Sequence, residues 1–334
     1  MGRILYWVLL AAVSAHFAVA YVTGTRFYVD LASYAAGTER LPFQYRALTA
    51  WLLHGISALP PLRALAASLP PPFAQPEMLA LAAITVASAG AAIDLTRRSL
   101  ALFMDDAMAR ALAFLLPLSM YFSYVALASS FRFSYPYDLP SLALFALCIF
   151  AMFGGRWALF YVGFVLASLN RETSLFLIPL LLIYRWPVSR AGFNAKLVRL
   201  LGHALALLAI WLAIKFILVR LYAGNPVEGG GAMGGAFVWQ AGQNLRNLLD
   251  PIYWPSLSSL LGYLWAVILL GWKYIGDTPL RRGLWIVPLW AAGMLMVGRI
   301  TELRIFGELG AYIAVVAGVA VHNFLRARGY RPTQ

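Results

Sequence analysis

The stretch Arg156–Arg185, RWALFYVGFVLASLNRETSLFLIPLLLIYR, decides how the chain is threaded. Two apolar halves flank Asn170-Arg171-Glu172-Thr173, and an arginine closes each end. A single crossing puts Arg171 and Glu172 at the bilayer centre, where an ionised side chain costs about 2.5–3.5 kcal/mol on insertion scales. It also puts Arg156 and Arg185 on opposite sides, against the tendency of Lys and Arg to collect on one face. Two half-length helices joined as a hairpin keep both arginines together and raise the polar tip toward the other surface. The hairpin is the preferred reading, with the single span as its alternative.

Composition sets the class around this stretch. Hydrophobic residues make up 62% of the 334, and charged residues only 12%, where a soluble domain carries about 25%. The mean hydropathy is +0.76. The chain reads as an all-α polytopic membrane protein, one transmembrane domain over residues 1–334. Its net charge of +13 is assigned to orientation, with Lys and Arg gathered on cytoplasmic loops, and not to a nucleic-acid partner. Cys148 is the lone cysteine and lies in an apolar run. It can form no internal disulfide, and redox chemistry is not expected from it.

Working outward, apolar runs near 20 residues predict about ten transmembrane helices with both termini cytoplasmic. The runs are 4–23, 77–95, 108–128, Asp138 to Arg156, the two halves of the hairpin, 200–222, 256–272, 283–299 and 310–325. The first run and its Ala18-Val19-Ala20 end have the layout of a signal peptide, but it is read as a retained span. Residues 24–75 form a first outer loop. Within it Ala47–Leu59 is apolar but short, and prolines follow, as suits helices lying in the interface. Residues 223–255 form a second outer loop, with a glycine-rich stretch at 229–235 followed by a short amphipathic helix.

This threading gathers four charged groups on the outer face. They are Asp30 with Arg40 and Arg46, Arg132 with Asp138, Arg171 with Glu172, and Arg299 with Glu302, Arg304 and Glu308. Mixed charges at membrane depth suggest mutual pairing around a water-filled cavity, or, more plainly, ion pairs that lock helix ends together. The first group lies in Thr25–Arg46, TRFYVDLASYAAGTERLPFQYR. Asp30 is the candidate general base, since a surface carboxylate could take a proton from an acceptor hydroxyl. The plain alternative is that it caps a helix or pairs with Arg26. Arg46, Arg132, Arg171, Arg299 and Arg304 are candidates for binding phosphate oxygens, because guanidinium offers bidentate donors. Tyr28 and Tyr45, with Tyr135, Tyr137, Tyr253 and Trp254, could stack on a sugar or line a lipid groove; an ordinary interfacial belt is the alternative. Asp105-Asp106 reads as a helix start. The four histidines have no metal-ligand spacing, and no phosphate-binding loop, zinc motif or nucleophile elbow occurs.

Asp30, Tyr34 and Pro42-Phe43-Gln44-Tyr45-Arg46, then Tyr137-Asp138-Leu139-Pro140, Asn170-Arg171-Glu172-Thr173 and Glu302-Leu303-Arg304-Ile305-Phe306-Gly307-Glu308, resemble blocks of small bacterial members of the C-type (GT-C) glycosyltransferases. The resemblance spans most of the chain. It implies a GT-C-like fold with outer interfacial helices, a polyprenyl-phosphate sugar donor, and a first-loop acid, here Asp30, as catalytic base. Here the acid is single where the family commonly has a pair, and the large soluble C-terminal domain of many members is missing.

The function expected from this resemblance is an inverting hexosyl or pentosyl transfer at the outer face of a bacterial inner membrane. The partners are a lipid-linked sugar donor, membrane lipid, and a glycan, lipid or protein acceptor, with no nucleic acid. No cofactor is implied, and a divalent metal is left open. A transporter or flippase of lipid-linked intermediates is the alternative, and a non-catalytic membrane subunit is a third reading.

Overall fold

The computed structural model describes residues 1–126, 133–187, 192–228, 239–276 and 278–329. Most of them are helical. The strands are two residues each, Arg26–Phe27 beside Phe133–Ser134 in parallel. The all-α expectation agrees with this. Five helices are long and apolar enough to cross a membrane: Arg3–Gly24, Pro76–Leu100, Phe193–Leu221, Pro279–Val297 and Leu309–Ala327. A sixth is reached if Pro251–Ser258 and Leu260–Leu270, bent by 52° at their junction, count as one.

The expectation of about ten spans is therefore corrected. Its missing members are present as broken or short helices. The 108–128 run divides into Asp106–Leu112 and Leu115–Tyr124. The 256–272 run is interrupted at Leu261, Gly262 and Tyr263, all with positive φ. Asp138–Phe153 has 16 residues, about 24 Å at 1.5 Å each, and stops at Gly154-Gly155, where Gly155 takes a left-handed φ of 67°.

The surface explains what surrounds the bundle. On Phe193–Leu221, Val198 is 69% exposed and Leu205 67%. Phe216 and Ile217 are similarly bare. A soluble protein rarely shows so long an apolar face, so these helices are consistent with a membrane protein. Leu309–Ala327 does the opposite. It is buried on every side from Leu309 to Ala320, and is the central post of the core. Gly318 lets it come close: a Cβ there would lie 2.7 Å from Leu100 Cδ2.

Two polar ends follow from hydrogen bonds along one helix. On Arg3–Gly24, Tyr6 donates to Asp94 at 3.2 Å, and Tyr21 reaches Asp138 at 3.1 Å. Those tyrosines are about 22 Å apart along the helix axis, so Asp94 and Asp138 mark opposite ends. Residues 157–185 start and finish at the Asp94 end. Asn170, at the tip, donates to Tyr137 O at 3.0 Å and Ser141 Oγ at 2.8 Å. Arg185 returns to bond Met152 O and sits beside Gly155. The segment thus folds back as Trp157–Asn170, a 3-10 turn Glu172–Phe176, and Leu177–Arg185, which is the hairpin geometry.

At the Asp138 end, the short helices Leu31–Ala36, Ala47–Ser57 and Pro60–Ala67 form a cap. The chain after Phe193–Leu221 is knitted to it. Leu41 N–H donates to Pro226 O at 2.7 Å, Glu228 N–H to Leu41 O at 3.0 Å, and Asn225 to Gly37 O and Glu39 O at 2.9 and 2.8 Å. The amphipathic helix expected after the glycines is Ala241–Leu249. The glycine-rich stretch lies outside the described residues.

Candidate functional site

The Asp138 end collects charges from segments far apart in sequence. Asp138 opens the Asp138–Phe153 helix, where a carboxylate is favoured by the first-turn N–H groups. It is fully buried. Arg171 Nη1 lies 3.3 Å from Asp138 Oδ1 and 2.8 Å from Glu308 Oε1. Arg304 Nη1 reaches the same Asp138 oxygen at 3.4 Å, and its Nη2 pairs with Glu302 at 2.5 Å. Thr173 donates to Glu308 Oε1 at 3.0 Å. The Tyr21 hydroxyl sits 2.8 Å from Tyr135 O and 3.1 Å from Asp138 Oδ2, and accepts from Tyr135 N–H. The Arg304 guanidinium lies 3.7 Å from the Tyr135 ring centre, a cation–π contact that adds to the ion pairs.

A second set adjoins the first through Tyr137. Arg46 Nη1 donates to the Tyr137 hydroxyl at 2.7 Å, and its Nε pairs with Glu172 at 3.2 Å. Lys215, from Phe193–Leu221, stands 3.7 Å from the other Glu172 oxygen. The tip is held by Asn170, which accepts from Thr49 at 2.5 Å while donating to the Tyr137 and Ser141 oxygens. Four cations, Arg46, Arg171, Lys215 and Arg304, thus face four carboxylates, Asp138, Glu172, Glu302 and Glu308. The network is formally neutral, so its arginines are engaged with acids and have little left for a phosphate. Spare capacity is small: Arg304 Nε, Lys215 Nζ and Glu308 Oε2 have no hydrogen-bond partner among the described residues.

The rim is different. Asp30 is exposed and caps Leu31–Ala36, accepting from Ser33 N–H at 2.7 Å. That bond holds its carboxyl below the ordinary range, because a donated N–H favours the charged form. Asp30 makes no ion pair among the described residues, so the structure does not bring it into the network. Its own N–H donates to buried Glu39 at 3.1 Å. Glu39 pairs with Arg40 at 3.3 Å, and Arg40 approaches Glu228 at 3.8 Å. Tyr28 donates to Glu228 at 2.6 Å. This carboxylate pushes the Tyr28 hydroxyl upward in pKa, against the opposing pull of Arg40 and Arg299. Arg299 is exposed.

The sequence-predicted residues therefore divide. Arg46, Asp138, Arg171, Glu172, Glu302, Arg304 and Glu308 converge. Asp30, Tyr28 and Arg299 stand at the rim. Tyr45 packs instead against the apolar cluster of Leu41, Ala47, Leu218 and Tyr222. Arg132 lies outside the described residues. Sequence reasoning gave no role to Lys215, Asn170 or Glu228. Asn170 had a signal, being the residue before Arg171 at the hairpin tip; Glu228, next to a glycine run, had none. Among the described residues no three His, Cys, Asp or Glu side chains are grouped so as to hold a metal ion.

Against known proteins, the chain matches no protein-family profile, no curated protein and no solved structure.

Proposed function

We propose that this chain is a membrane glycosyltransferase of GT-C type. It moves a sugar from a polyprenyl-phosphate donor to an acceptor at the Asp138 end, with inversion. The observation that carries the reading is the convergence of charged blocks from the first loop, Asp138, the hairpin tip and 302–308 on one end of an apolar bundle, with an exposed carboxylate, Asp30, at its rim. In this scheme the donor lipid lies along the exposed apolar helices. Its phosphate meets Arg299, the exposed arginine at the rim, and Asp30 takes the proton of the attacking hydroxyl. The buried network fixes the geometry around them, with Arg171 and Arg304 shaping the field. The end bearing Arg97, Arg98, Arg156 and Arg185 faces the cytoplasm of a bacterial inner membrane, by the bias of basic residues. The apolar core of Leu309–Ala320 between the two polar ends favours transfer over transport, since a carrier needs polar groups along its path.

The test is Asp30→Asn, purified and given lipid-linked sugars. Asn is as good a helix cap as Asp, so folding should hold while transfer falls by about 10²–10⁴. Full transfer by this variant would remove Asp30 from the chemistry.

A further inference from the structure

The Asp94 end has no part in that reaction, yet it carries two open pockets. One, of about 250 Å³, is lined by Arg97, Arg98, Ala101, Leu102, Phe150 and Arg156. The other, of about 200 Å³, adjoins it through Arg97 and adds Arg3, Trp7 and Arg110. The charges here do not cancel. Asp94 takes both Arg97 and Arg98, at 2.8 and 2.7 Å, and Asp106 takes Arg97 again at 2.7 Å and Arg110 as well. Arg156 pairs with no acid among the described residues; its guanidinium lies 4.6 Å from the Phe150 ring centre. Arg98 is half exposed. The first pocket thus presents three guanidiniums against two carboxylates, Arg97 being held by Asp94 and Asp106, Arg98 by Asp94, and Arg156 by neither. Its wall is also apolar, and Leu102 and Phe103 beside it are 45% and 38% exposed.

A site with a cationic floor and a bare hydrocarbon rim, at the end of a membrane bundle, fits an anion attached to an acyl chain. We propose that the Arg97–Arg98–Arg156 pocket seats the phosphate headgroup of an anionic phospholipid, whose chain runs over Leu102 and Phe103. Guanidinium is suited to phosphate oxygens by its forked donors, and basic pockets between membrane helices take such headgroups. A soluble phosphate shares the headgroup chemistry but has no use for the apolar rim.

The experiment uses the full chain in detergent, titrated with phosphatidylglycerol, phosphatidylcholine or inorganic phosphate and read by native mass spectrometry and thermal unfolding. Phosphatidylglycerol should stay bound and raise the unfolding temperature where phosphatidylcholine does not. The double variant Arg98→Gln/Arg156→Gln should bind it on the order of tenfold more weakly, while Arg199→Gln should not differ from the parent chain. Equal binding of the two lipids overturns the proposal, and this comparison stands on the parent chain alone if the double variant fails to fold. Equal stabilisation by inorganic phosphate also overturns it, making this a site for a soluble anion.

Discussion

Arg171 shows why a buried charge should be judged by its partners. Its guanidinium holds two fully buried carboxylates, Asp138 and Glu308. Removing one partner of such a set leaves the others uncompensated, at a cost of about 3–5 kcal/mol. Arg171→Ala should therefore lower stability by about that amount in chemical unfolding of the purified protein, whatever its effect on catalysis; a change under about 0.5 kcal/mol would contradict the burial of the pair. Asp30 is the contrasting case. Its pKa is depressed by the Ser33 N–H, so the cap is at full strength above the unfolded value of about 3.9 and fades as pH falls through the lower folded one. Asp30→Ala should cost stability near neutral pH and lose that difference in acid, a profile readable by thermal unfolding across pH. The depressed value also makes Asp30 a weak base, so catalysis by it needs the acceptor to displace Ser33 or raise the carboxyl's proton affinity. These residue types were visible in the sequence, and so was their division into groups. Which arginine meets which acid was not, because Asp138, Arg171, Arg304 and Glu308 are joined only by the packing of distant segments.

At the level of elements, the hairpin was legible and the span count was not. Paired arginines at 156 and 185 with a polar centre between them carry a strong electrostatic argument. The structure places Arg185 back at Met152 and Gly155. Apolar length alone misleads at 108–128 and 256–272, because hydropathy does not register a turn at Ala113-Phe114 or positive φ at Leu261 and Tyr263. At both bends the backbone N–H groups bond to carbonyls a few residues back in the same segment, Phe114 to Ala111 and Gly262 to Ser259. Cys148 is buried, so the native thiol stays silent toward surface reagents. Single cysteines placed at Gly154 and Trp186, both exposed, should react with a membrane-impermeant maleimide from one and the same side of sealed vesicles. Labelling from opposite sides would restore the single-span reading.

Across the whole molecule, the two ends have different electrical characters. The Asp94 end keeps unpaired guanidinium groups beside open pockets, whereas the Asp138 end has closed its charges upon one another. Composition announced the excess of arginine but not this asymmetry, since the acids that neutralise one end are drawn from three separate stretches of chain, at 138, 172 and 302–308. The bare apolar faces, that of Phe193–Leu221 above all, are consistent with a lipid surround, and the post buried from Leu309 to Ala320 runs between the two ends.

The neutrality of the Asp138 network has a consequence for an energised membrane. A potential of 100 mV acts with about 2.3 kcal/mol on each elementary charge that crosses it. Four cations locked to four carboxylates present no net charge to that field, so the voltage has no grip on the network as a unit. Under the proposed function, sugar transfer in proteoliposomes should therefore hold steady when a potassium gradient with valinomycin sets the potential to either sign.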